Sequence, residues 1–212
     1  MSKARLVLTM FVAMLAFAAV NSASASASTA GWMLNGTLLS AQGLTSAALS
    51  GTGTVDEAAE LNGGGLNVTC KGPLLLGSGA IEATGMASGQ ITFDGCTTTT
   101  ANCEVPKSVG TVPVLFEVTL DGALAVKAIA KPQSGTTFAT VKFSGASCSV
   151  AGVKPATGEA ELLAPEGQDE RVAQLLKGVQ AANGLLKFNS NPASFVGGAL
   201  LTLASGKPWS FL

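Results

Sequence analysis

The sequence predicts a mainly β protein: an antiparallel sandwich or barrel of short strands, with two disulfides and at most one helix, at about 169–183. Many short apolar runs are separated by turn signals rich in Gly, Asn and Pro, a pattern typical of such folds. The chain has four cysteines, an even number. Apolar residues make up 47% of it and charged residues 12%, which indicates a folded domain rather than a disordered one.

The start of the chain has the three parts of a secretory signal peptide. Lys3 and Arg5 precede an apolar run at 6–20, and Ala-Ser-Ala steps at 23–27 offer small residues for cleavage. The run falls short of the roughly 20 residues that a bilayer span needs. We therefore expect a signal peptide at 1–27, a single β-rich domain at 28–212, and a secreted or cell-surface protein with no membrane span once the signal is removed.

The clearest strand pair is the segment VLFEVTLDGALAVKAIAK at 114–131. A hairpin with a three-residue loop at 120–122 places Phe116 and Val118 on one face, opposite Val126 and Leu124. Glu117 and Lys127 then lie on the other face as diagonal neighbours, which keeps the lysine out of the core. We prefer this register to a two-residue Asp-Gly turn, which would put Lys127 beside Phe116.

Other runs with strand character are separated by short turn signals. The predicted strands are 32–39, 66–70, 89–93, 137–143, 148–153, 158–163, 185–188 and 195–204. The predicted turns are 62–65, 94–95, 131–132, 134–135, 154–155 and 191–192. Residues 169–184 alone have apolar positions at helical spacing, with Asp169 as an N-cap and Gly184 as a stop. Gly178 weakens a helix there, so helix and strand both remain open.

The cysteines are Cys70, Cys96, Cys103 and Cys148, all in the expected exported part. Because the chain has no histidine and no C-x-x-C motif, the sequence favours neither a zinc site nor a thioredoxin-like redox site. Disulfides are the expected state in an oxidising compartment. Proximity along the chain favours Cys96 with Cys103, which leaves Cys70 with Cys148, although other pairings remain open.

The residues needed for common catalytic mechanisms are missing. The absence of histidine excludes Ser-His-Asp and Cys-His catalysis, and no G-x-S-x-G motif is present. Two carboxylate groups remain: Glu159 with Glu161, and Asp56, Glu57 and Glu60. Surface charge explains both groups. We therefore assign no catalytic, metal or cofactor-binding residue and expect no cofactor and no enzymatic activity.

Two further features offer a structural and a functional interpretation each. Trp32 and Trp209 lie near the two ends of the mature chain. They are core anchors where the terminal strands pair, or a ligand platform for a sugar or another apolar molecule. The threonines at 97–100 are a solvated hairpin tip, or a hydroxyl-rich binding loop.

Several segments of the chain resemble a group of exported bacterial proteins. These segments are GWMLNGTLL, ITFDGC, TLDGALAV, KPQSGTTFATVKFSG and LASGKPWSFL. The group is that of uncharacterised exported β-rich proteins of high-GC Gram-positive bacteria. The resemblance implies a β-rich domain with paired cysteines and a strand rather than a helix at 169–183. It implies no activity, ligand or site residue.

The sequence thus predicts a non-enzymatic secreted or cell-surface β-domain with a binding or structural role. Without Lys3 and Arg5, ten basic residues stand against 13 acidic ones, a net charge of −3, so we expect no nucleic-acid partner. A cell-envelope component is one partner class; its identity stays open. One alternative is a carrier of a small apolar ligand, with Ala123 and Ala125 as small inward residues. The other is a carboxylate-dependent glycan hydrolase that uses Glu159 and Glu161.

Overall fold

The computed structural model describes residues 31–44, 46–53, 58–72, 74–120, 126–163 and 170–211. The expected signal peptide at 1–27 lies outside these residues, as do Asp56, Glu57, the segment 121–125 with Ala123 and Ala125, and Asp169.

The described residues form short strands, as the sequence predicts, and one 3-10 turn at Ser40–Gln42. The strands are β1 Trp32–Leu34, β2 Thr37–Leu38, β3 Ser46–Gly53, β4 Ala59–Gly63, β5 Leu66–Cys70, β6 Leu74–Glu82, β7 Met86–Gly89, β8 Ile91–Asp94, β9 Cys96–Thr97, β10 Ser108–Gly110, β11 Val114–Leu120, β12 Val126–Pro132, β13 Thr137–Phe143, β14 Gly152–Gly158, β15 Ala160–Leu163, β16 Ala173–Gln180, β17 Leu186–Phe188, β18 Asn191–Leu203 and β19 Trp209–Phe211.

Eight strands pair into a closed antiparallel ring, called here the first ring. Its order is β3-β6-β7-β11-β12-β15-β16-β18, and β18 pairs back onto β3. Because β18 pairs back onto β3, the sheet closes on itself. Of the two architectures that the sequence left open, this corresponds to the barrel.

The other end of β18 belongs to a second ring. On one side β18 pairs with β4, and β4 with β5; on the other it pairs with β17, then β14 and β13. Backbone bonds from 71–72 to 94–95 connect β5 to the β8–β9 turn, and β8 pairs with β10. A bridge between Thr111 and Ala139 then connects the residue after β10 to β13 and completes the circuit.

The two rings enclose two clusters of buried side chains. The first cluster includes Ile81, Val114 and Leu203, and the second includes Val141, Phe143 and Phe188. Two half-buried phenylalanines, Phe93 and Phe138, pack against both clusters. The hydrophobic core is therefore continuous between the two rings.

A three-stranded sheet, β19-β1-β2, packs against the first cluster. It pairs the two terminal strands, as the core-anchor interpretation of the tryptophans expects. Trp32 and Trp209 are 4% and 0% exposed, and their ring centroids lie 5.9 Å apart. Trp32 Nε1 donates a hydrogen bond to the carbonyl of Met86 at 2.8 Å. The exposed ring faces of a surface platform are absent from this pair.

All four cysteines form disulfides, as the sequence predicts. The preferred pairing of these cysteines, however, was wrong. Cys70 is bonded to Cys96, and Cys103 to Cys148. Cys96 lies directly opposite Cys70 in the β5–β9 ladder. A bridge between Glu104 and Ser144 then brings Cys103 beside the segment that carries Cys148. Strand pairing between distant segments, rather than closeness along the chain, decides the bonds.

The segment left open between helix and strand is a strand, since Ala173–Gln180 forms β16 and pairs with β18 over its full length. In the 114–131 hairpin, Phe116 lies opposite Ala130 instead of Val126, so the predicted register was wrong. The predicted interior face of Phe116 and outer face of Glu117 are correct, because the difference in register is an even number of residues.

Candidate functional site

An apolar cavity of about 100 Å³ lies where the two core clusters meet. Its surface is formed by apolar atoms alone. Phe93 and Phe138, which pack against both clusters, are among its lining residues. Packed protein interiors contain few voids larger than a water molecule, so a cavity of this size identifies the candidate site.

The first wall of the cavity is a row of three side chains from the first ring. Phe116 pairs with Ala130, and Ala130 pairs with Ala160, across β11, β12 and β15. All three are buried and face the interior. Because two methyl groups stand side by side next to one aromatic ring, the wall is recessed at Ala130 and Ala160.

The second wall comes from the second ring and repeats this arrangement. Ala139 of β13 pairs directly with Ala156 of β14. Val141 of β13 and Leu186 of β17 complete the wall around them. This wall is recessed at its own pair of alanines.

The third wall is formed by β18, β4 and β5. Phe195 pairs with Leu61, and Leu61 pairs with Val68. Beside this row Ala59 pairs with Cys70, so one end of the Cys70–Cys96 disulfide lines the cavity. The disulfide therefore fixes β9 to the strand that forms this wall.

Few polar groups lie near the cavity, and the buried one has its hydrogen bond. Thr111 is 4% exposed, and its Oγ1 accepts a hydrogen bond from the backbone N–H of Ile91 at 3.0 Å. Glu60 touches the cavity from an exposed position. A trapped water needs two to four polar partners, which these apolar walls do not supply. The cavity is thus suited to a molecule, or part of one, without hydrogen-bonding groups.

The predicted carboxylate pair lies elsewhere. Glu159 and Glu161 flank Ala160, whose side chain points into the cavity, so strand alternation places them on the outer face. Neither lines the cavity. The structure does not bring them together with Phe93, Phe138 or the other cavity residues.

An ion pair lies on the same outer face. Lys131 Nζ donates to Glu117 Oε2 at 2.7 Å, and both side chains are over a third exposed. The hydrogen bond and charge of Glu117 raise the pKa of Lys131 above its usual value, and the charge of Glu159 adds to this. The register makes both Lys127 and Lys131 diagonal neighbours of Glu117, which pairs with Ile129. The sequence predicted Lys127 as a neighbour of Glu117, whereas the described ion pair joins Glu117 to Lys131.

The threonine segment lies against β5 and forms hydrogen bonds with it. Thr98 Oγ1 donates to the carbonyl of Asn67 at 2.6 Å, and Thr99 Oγ1 donates to the Asn67 side-chain oxygen at 3.3 Å. Thr98 Oγ1 also accepts from the backbone N–H of Thr100. These bonds hold the segment in place between Cys96 and Cys103.

The sequence did not point to the residues that form the cavity. Its carrier alternative named Ala123 and Ala125, which lie outside the described residues, whereas the lining alanines are others, such as Ala130 and Ala156. An available signal was the alanine at alternate positions in the 126–132 strand, which predicts a small inward residue. Which strands face one another across the interior could not be deduced from that signal.

Within the described residues, no group of histidine, cysteine and carboxylate side chains is arranged to hold a metal ion. The same part of the chain contains no helix with the length and apolar character that a membrane crossing requires. Comparison of the chain with protein-family models, curated proteins and solved structures found no match.

Proposed function

We propose that this protein is a non-enzymatic exported β-domain that acts by binding, and that the cavity between its rings holds a small apolar ligand or the apolar end of a larger one. The observation that carries the proposal is the cavity itself, with its exclusively apolar surface. Burial of apolar ligand surface there contributes about 25 cal/mol per Å².

Export of the chain is part of the same proposal. Both described disulfides are of the kind that persists in oxidising compartments. The N-terminal pattern supports removal of residues 1–27 on export. Sequencing the N-terminus of protein recovered from outside the producing cell tests this, since the chain should then begin at residue 26 or 28. An intact Met1 would contradict export with cleavage.

Native mass spectrometry of protein purified from its natural source tests the binding function. We expect a mass above that of the oxidised polypeptide, and we expect organic extraction to release the difference as an apolar compound. Ala130→Val protein is the matched control, because the two added methyl groups occupy part of the cavity; a smaller fraction of it should carry the added mass. Wild-type protein that equals the bare polypeptide in mass, with no compound in the extract, would refute the proposal.

A further inference from the structure

Phe195 lies over a glycine of its own strand. Phe195 and Gly197 are two apart in β18 and therefore share the interior face. A Cβ added to Gly197 would lie 3.0 Å from Cζ of Phe195 and 3.2 Å from Cβ of Ala59. Such contacts are too close for an undisturbed ring, so the absence of a side chain at Gly197 is what allows Phe195 its position.

The ring of Phe195 also contacts a strand that does not pair with β18. Its centroid is 6.1 Å from that of Phe93 in β8, at an interplanar angle of 71°, which is an edge-to-face contact. Both rings line the cavity. Phe195 therefore forms part of the cavity boundary between β18 and β8, held by Gly197 beneath it and Phe93 at its edge.

The volume of the cavity, which the Phe195 ring bounds, limits the size of the ligand. At about 100 Å³, the cavity is smaller than an engineered cavity of about 150 Å³ that binds benzene and xenon. We infer that Phe195 is the specificity-determining residue of the cavity. With its ring in place, the cavity favours xenon-sized apolar groups over a benzene ring. The inference rests on the proposed function, because it concerns what the same cavity accepts.

Binding of xenon and benzene to purified mature protein tests the inference, with amide chemical shifts as the readout. Wild-type protein should bind xenon, with shifts at the lining residues, and should bind benzene only weakly. Phe195→Ala adds the volume of the ring to the cavity. Its benzene affinity should exceed that of wild type by at least about tenfold, with shifts at residues such as Val141 and Ala156.

Phe188→Ala is the matched control. Phe188 is fully buried in the second cluster and packs against Phe143, but it does not line the cavity. Any benzene that binds to this variant should change the amide chemical shift of Phe143 and leave that of Ala130 unchanged. Benzene binding to wild type as tight as to Phe195→Ala would overturn the inference, as would a folded Phe195→Ala protein that excludes benzene.

Gly197→Ala tests the position of the ring without removing it. The added methyl group should displace Phe195 and change xenon affinity, and this effect should vanish in the Phe195→Ala background. An equal effect in both backgrounds would contradict the role of Gly197. Xenon and benzene are probes rather than the natural ligand. An empty organic extract would therefore refute only the proposed function, whereas the binding of xenon and benzene to these variants tests the size limit.

Discussion

At the scale of single residues, the cavity exists because alanine occupies positions where strand geometry would accept larger side chains. Ala130 pairs with Ala160, and Ala139 pairs with Ala156. Side chains directly opposite one another have Cβ atoms about 4.5–5.5 Å apart, so two neighbouring methyl groups leave the space above them empty. The volume of the cavity thus depends on residue identity and is open to single substitutions.

Ala130→Val should fill part of the cavity. Two added carbon atoms buried in apolar surroundings contribute about 0.8 kcal/mol each. We therefore expect the free energy of unfolding to rise by up to about 1.5 kcal/mol, and xenon binding to weaken. Denaturant unfolding and xenon titration measure the two effects.

Ala87→Val is the control for this substitution. Ala87 is 3% exposed and belongs to the first cluster, but it does not line the cavity. An added side chain there overpacks the core, which costs about 1–3 kcal/mol. Equal losses of stability in the two variants would show that the space beside Ala130 cannot accept a side chain.

At the scale of elements, two hairpins have the same turn with different residues. Asn35-Gly36 joins β1 to β2 and Asn189-Ser190 joins β17 to β18, each a two-residue loop. The φ angles are 49° and 74° in the first turn and 49° and 69° in the second. Positive φ at both positions is typical of a type I′ turn, which prefers Asn-Gly. Ser190 therefore lies in a conformation that favours glycine.

Ser190→Gly should raise the free energy of unfolding by about 0.5–1 kcal/mol. Relief of the left-handed conformation contributes about 1–2 kcal/mol, and the greater freedom of glycine in the unfolded chain offsets part of this. Gly36→Ser is the reciprocal control and should lower stability by a similar amount, since no atom lies within 4 Å of an added Cβ there. Changes of the same sign in both variants, measured by chemical denaturation, would refute the explanation.

The disulfides give a second prediction at this scale. Cys103–Cys148 closes a loop with a sequence separation of 45, so its removal should cost about 4 kcal/mol in the chain-entropy model. The Cys103→Ala/Cys148→Ala protein should contain no free thiol, because Cys70 remains bonded to Cys96. The control, Cys96→Ala/Cys103→Ala, should expose free Cys70 and Cys148. A thiol assay distinguishes the two, and free thiols in the first variant would contradict the pairing.

Local patterns predicted the elements better than their partners. The strands at 66–70 and 137–143 match their predicted bounds, and the faces of the 114–131 hairpin follow from alternation. The sequence suggested turns at three prolines that belong to strands in the structure: Pro132 ends β12, Pro155 lies inside β14, and Pro192 is the second residue of β18. The turn signal of a proline comes from its own backbone geometry. Whether that proline lies in a strand depends instead on pairing with distant segments of the chain. The disulfide pairing was wrong for the same reason.

At the scale of the whole molecule, the two rings form one structure through a shared strand. β18 runs from Asn191 to Leu203, and it pairs with β17 and β4 in the second ring and with β16 and β3 in the first. Phe93 and Phe138 connect the two clusters. The cavity lies at this junction, so its existence depends on how two circuits of strands meet, which no local pattern in the sequence encodes.

Because the rings share β18, we expect the two clusters to unfold together. The two tryptophans, Trp32 and Trp209, both lie in the first cluster, so tryptophan fluorescence reports on that cluster alone. Phe143→Leu changes only the second cluster and should lower stability by about 1 kcal/mol or more, because it removes buried side-chain volume. It should shift the fluorescence midpoint and the circular dichroism midpoint equally.

Ile81→Val is the control in the first cluster. It should lower the free energy of unfolding by about 0.5–1.5 kcal/mol and should also shift the two midpoints equally. If Phe143→Leu moved the dichroism midpoint and left the fluorescence midpoint in place, the rings would be separate folding units, because coincident transitions are the mark of a single cooperative one.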